Sequence, residues 1–93
     1  MAIRVVLRSG AQRALLRVPP YIADKLALWV NLVETEGIAE ARRIPGFHDE
    51  PLRGARAGQR SIRLSRGYRA IYTIERAGAD LVIAIAEVSK HAY

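Results

Sequence analysis

The sequence predicts an α+β domain: an N-terminal strand, a helical hairpin, then an antiparallel three-strand meander with the helices on one sheet face. Three observations carry that expectation. The hydrophobic period changes from helical to strand-like near the middle of the chain. Prolines and a glycine stand where the first-half helices must stop. A Ser-Arg-Gly turn separates two alternating runs in the second half. At 93 residues the chain makes one domain, 1–93, with a single modest core. No repeat, linker or low-complexity tract divides it.

Residues 3–7, IRVVL, read as a short strand. Ser9 with Gln12 three residues on is a capping-box pattern, so a helix starts there. Ala11, Ala14, Leu15 and Val18 share its apolar face. Pro19 and Pro20 end it and suit the first turn of the next helix, residues 21–36. Ile22, Leu26, Trp29 and Val33 form the stripe of that second helix, and Gly37 stops it. A short helix over 38–43 precedes Pro45-Gly46. Residues 59–65, 68–75 and 81–88 read as strands. The last, LVIAIAEV, is apolar nearly throughout, as in a central strand covered on both faces.

Composition narrows the function classes. There is no cysteine, so disulfides and thiolate metal sites are excluded and a reducing cytoplasm is expected. Two histidines, His48 and His91, are too few to suggest zinc, and no cofactor is expected. The opening MAIRVVLRSG has only three consecutive apolar residues between arginines, neither a signal peptide nor a membrane span. Net charge is +6, and 13 of the 15 basic residues are arginine. Arginine forks onto phosphate and carboxylate better than lysine, so the partner should be anionic: nucleic acid or an acidic protein.

The charge concentrates in PLRGARAGQRSIRLSRGYRAIY, residues 51–72, where Arg53, Arg56, Arg60, Arg63, Arg66 and Arg69 occur with no acid. The turn fixes which of them face together. A two-residue loop, Arg66-Gly67, would put Arg63 and Arg69 on opposite faces. A three-residue loop pairs Leu64 with Tyr68, places Gly67 in the left-handed position of a bulged turn, and sets Arg63 opposite Arg69. Ile62, Leu64, Ala70 and Tyr72 then fill the other face. The second register separates apolar from cationic side chains and is preferred. Like charges directly opposite repel, which is tolerable if they await a phosphate. The alternative is a solvated face whose arginine stems cover apolar surface.

The chain resembles the RelE/ParE superfamily of bacterial toxins, the toxin halves of type II toxin–antitoxin pairs. EPLRGARAGQRSIRL, GYRAIY and EVSKHAY carry the resemblance, which covers essentially the whole chain. It implies the fold derived above and a cognate antitoxin as partner. It also implies one of two activities. Many members are metal-independent endoribonucleases that cut messenger RNA in the ribosomal A site; the ParE-like branch inhibits DNA gyrase and cuts nothing. A degenerate member that only binds its antitoxin is a third reading.

The resemblance also assigns residues. Arg69 in GYR is similar to the arginine on the scissile phosphate, and Arg63 to a basic residue on the preceding strand. Glu50 resembles the general base of YoeB-like members. His91 and Tyr93 resemble the C-terminal His and Tyr of YoeB- and HigB-like members, and Lys90 the basic residue after the last strand in RelE-like ones. Ala92 separates His91 from Tyr93, where YoeB-like tails have the pair adjacent. Arg53, Arg56, Arg60, Arg66 and His48 are expected to contact RNA outside the chemistry. Acid–base residues in the tail favour the endoribonuclease, since a pure binder has no need of them.

Overall fold

The computed structural model of the chain describes residues 2–90. It is an α+β domain, with the elements in the order β1 (Ile3–Leu7), α1 (Ser9–Leu15), α2 (Pro20–Glu36), α3 (Ile38–Arg42), β2 (Glu50–Pro51), β3 (Arg60–Arg63), β4 (Tyr68–Ala77) and β5 (Asp80–Lys90). Short 3-10 turns at Pro45–Phe47 and Gly54–Arg56 flank β2. The five strands form one sheet in the order β1-β5-β4-β3-β2. Strands β3, β4 and β5 are the expected antiparallel meander. The N-terminal strand closes one edge by pairing parallel to β5, from Ile3 opposite Leu81 to Leu7 opposite Ile85. The two-residue β2, which the sequence did not signal, closes the other edge against β3.

Helix α2 behaves as its stripe predicts. Ile22, Leu26, Trp29 and Val33 are all buried. Pro20 occupies its first turn, where a missing N–H costs nothing. Gly37 ends it at φ 91°, a left-handed conformation that a side chain would strain, and its N–H bonds back to the Val33 carbonyl. Helix α1 differs from expectation. Ser9 lies inside the helix, which has no side-chain cap, and the Gln12 amide donates instead to the Leu7 carbonyl at 2.9 Å. The amide thus secures the end of β1 rather than closing a capping box.

The helices pack on one sheet face. Trp29 lies against Tyr72 with ring centroids 5.0 Å apart, and Ile62, Leu64, Ala70, Ile83, Ile85 and Val88 complete that core. A bulge governs which residues of β5 face it. Ile71 pairs with Glu87 but Tyr72 pairs with Ile85, leaving Ala86 extra. That one-residue insertion resets the alternation, so Ile85 and Val88 both turn inward while Glu87 faces out. Among the described residues, no helix is long and apolar enough to cross a membrane.

Candidate functional site

The outer face of β3 and β4 carries the site. Leu64 N–H and Ser65 N–H both donate to the Tyr68 carbonyl, at 2.9 and 3.2 Å. The hairpin loop is therefore the three residues 65–67, and Arg63 sits directly opposite Arg69. Gly67 is not left-handed, contrary to expectation. The Ser65 hydroxyl accepts the Gly67 N–H at 3.2 Å, and this side-chain closure makes the turn in place of a left-handed glycine.

Arg63 and Arg69 line a small open cavity of about 70 Å3 together with Glu50 and His48. Ser61, Ser65, Arg66 and Tyr68 complete its wall. Three arginines thus face one carboxylate, leaving a cationic pocket whose size suits a phosphate group. Arg63 is exposed, whereas Arg69 is half-buried, and its buried Nε has no hydrogen-bond partner among the described residues. A buried guanidinium N–H costs free energy unless something accepts from it, and an incoming phosphoryl oxygen is a suitable acceptor.

Glu50 reaches this cavity because β2 pairs it with Ser61 on β3. Its neighbour fixes the segment. The Asp49 side chain is fully buried and points the other way, accepting from Arg60 Nε at 2.7 Å and from the Tyr72 hydroxyl at 2.6 Å. Burial opposes the charge on Arg60, but the bond and attraction to Asp49 outweigh it, and its pKa is raised. The Tyr72 phenol is pushed up to about 12, first by burial and then by its bond to Asp49, with Arg42 opposing. The sign follows. An unfolded tyrosine ionises near pH 10 while folded Tyr72 holds its proton until about pH 12, so this contribution to stability is complete below about pH 10 and lost as pH rises through 12. Spectrophotometric titration should show a tyrosine ionising near pH 12, and Tyr72→Phe should remove that late step.

The remaining expected site residues divide. Arg66 lines the cavity. Arg53 is exposed in the loop after β2. Two arginines expected to face RNA are already engaged: Arg56 pairs with Glu87 across the outer face and with Gln59 at 2.8 Å, and Arg60 lies on the core side against Asp49. Lys90 is exposed at the end of β5, opposite Tyr68 at the site end of β4. His91 and Tyr93 lie outside the described residues. Ser61 and Ser65 line the cavity, and Asp49 braces it from the core side, though the sequence reading gave none of the three a site role.

No protein-family model matches the chain, and no curated protein does. Solved structures do. The toxin–antitoxin complex RelBE2 from Mycobacterium tuberculosis matches at TM-score 0.67 and 24% identity, over 98% of this chain and all of that one. The DinJ–YafQ toxin–antitoxin complex of Escherichia coli matches at TM-score 0.75 and 13% identity, over 98% and 94%. A YoeB/ParE toxin from Agrobacterium tumefaciens matches at 0.65 and 20%, over 96% and 99%. The chain has the RelE/ParE toxin fold. In this fold the hairpin turn sets Arg63 opposite Arg69 on the cavity face, whereas Lys90 pairs with Tyr68 and is not among the residues lining the cavity.

Proposed function

We infer that this protein is the toxin of a type II toxin–antitoxin pair and that it cuts messenger RNA on the ribosome without a metal. The observation that carries the reading is the cross-strand pair Arg63–Arg69, open on one face and sharing a cavity with Glu50. RNA contains its own nucleophile. Attack of the 2′-hydroxyl on the adjacent phosphate gives a 2′,3′-cyclic phosphate and a 5′-hydroxyl. The protein must remove a proton, return one to the leaving oxygen, and hold the charge that builds on phosphorus.

Each requirement has a candidate. Arg63 and Arg69 take the phosphoryl oxygens, where preorganised cations give the largest single contribution in many enzymes. The base belongs to the Glu50 end of the cavity. His91, with an imidazole's ordinary pKa of about 6.5, suits the acid for the leaving group; Lys90 directly precedes it and Tyr93 follows after Ala92. Each positioned acid or base contributes about 10²–10⁴-fold. The partner in the cell is a cognate antitoxin, as in the RelBE2 and DinJ–YafQ complexes. An acidic antitoxin segment over the arginine face would match the +6 charge and speed association.

In vitro translation with the purified protein, followed by primer extension on the message, tests the reading. Cleavage within the translated frame is expected, with 2′,3′-cyclic phosphate ends and a rate that EDTA leaves unchanged. Intact message from a protein that still stops growth overturns it in favour of gyrase inhibition.

A further inference from the structure

His48 stands in the same cavity as Glu50, and its backbone is left-handed at φ 46°, ψ 51°. It is the single non-glycine residue with positive φ among the described residues. A side chain disfavours that conformation, and strained backbone of this kind collects where function holds it in place. The consequence here is geometric. His48 and Glu50 face the cavity, while Asp49 between them turns into the interior and is clamped by Arg60 and Tyr72. The imidazole Nε2 then lies 3.7 Å from Glu50 Oε2.

We propose that His48 and Glu50 form one general-base unit for the RNA 2′-hydroxyl, the imidazole taking the proton and the carboxylate orienting and stabilising the imidazolium. This rests on the RNA-cleavage reading above and divides its base between two residues. An imidazole's ordinary pKa of about 6.5 lies nearer neutrality than a carboxylate's 4.3, so imidazole is the more effective base at working pH. Glu50 is the one carboxylate lining the cavity, and a base held by a third group in this way recurs on unrelated folds. The charged and titratable groups around His48 are Glu50, then Arg63, Arg66, Tyr68 and Arg69 across the cavity. From α2, Lys25 sits over the neighbouring Phe47 ring.

The step balances. The 2′-O–H bond breaks, and its proton passes to the imidazole nitrogen turned away from Glu50. The oxygen's electron pair forms the new bond to phosphorus as the P–O5′ bond breaks. The departing 5′-oxygen takes a proton from the general acid, for which His91 is the candidate. The imidazolium then returns its proton to water, and no oxidant or metal enters.

The test is single-turnover cleavage of message on programmed ribosomes from about pH 5 to 8, across the range where imidazole titrates. Wild type is compared with His48→Asn and His48→Gln. Asparagine tolerates the left-handed backbone, so the first variant keeps the loop. A loss of about 10²–10⁴-fold at pH 7 is expected in both, with the acid limb of the profile abolished and ribosome affinity unchanged. A merely structural role for His48 would lower the rate and leave the limb. Message cut by wild type, with the limb intact in both variants, overturns the base unit alone. Message left uncut by wild type overturns the RNA-cleavage reading and the base unit with it.

Discussion

Arg69→Ala is expected to reduce message cleavage by roughly 10²–10³-fold, the cost of removing one preorganised group at developing charge. The protein should stay folded. Arg69 lies on the outer sheet face, away from the Trp29–Tyr72 core, and makes no ion pair among the described residues. Its loss also relieves the repulsion with Arg63 directly opposite, which is worth a few tenths of a kcal/mol to about 1 kcal/mol in the variant's favour. Stability and activity should therefore part company: unchanged or slightly higher melting temperature, lost cleavage. Arg69→Lys should rescue poorly, because an ammonium cannot present two parallel N–H groups to a phosphate. Circular dichroism and single-turnover cleavage on the same preparations check both halves. A folded Arg69→Ala protein that cuts within threefold of wild type removes Arg69 from the site.

The register that makes this prediction possible was legible from residues 60–72 alone. Only the three-residue turn keeps Ile62, Leu64, Ala70 and Tyr72 on one face, and all four are buried there. The α2 stripe was legible for the same reason, since a strong period leaves one way to bury it. What sequence did not disclose was non-local or too short to have a period. The parallel pairing of β1 with β5 joins residues nearly 80 positions apart. Strand β2 is two residues long. The bulge at Ala86 hides inside an almost wholly apolar run, where alternation carries no signal.

Asp49 is the instructive omission. An acid beside Glu50 reads as one more polar loop residue. Yet in an extended segment neighbours face opposite ways, so if Glu50 faces the cationic side, Asp49 must face the core. The preferred register already put Arg60 opposite Tyr72 on that side, as the structure has it. A buried acid next to a cation and a phenol was therefore implied by the register. Arg60, by the same token, was never on the open face with Arg63 and Arg69.

Asp49→Ala should be the most damaging single change to the fold near the site. The carboxylate is fully buried, and its removal strands the Tyr72 hydroxyl and the mostly buried Arg60 guanidinium together. Breaking a buried pair from one side costs about 3–5 kcal/mol; with Arg60 at 23% exposure, the lower end applies. A loss of about 3 kcal/mol in a domain of this size lowers the melting temperature by roughly 12–24 °C. Asp49→Asn should cost much less, since the amide oxygen still accepts from Arg60. The double variant Asp49→Leu/Arg60→Met should recover most of the loss, because replacing both partners by apolar groups leaves no charge stranded. Thermal melts of the three variants separate these outcomes. Cleavage measured well below each melting temperature adds the functional half. Asp49→Ala should be slow even when folded, because Glu50 and His48 lose the clamp between them, and the apolar double variant should restore rate only as far as its packing restores that turn. If Asp49→Ala melts within a few degrees of wild type, the buried network is not what anchors the Glu50 end of the cavity, and β2 pairing with β3 must hold it unaided.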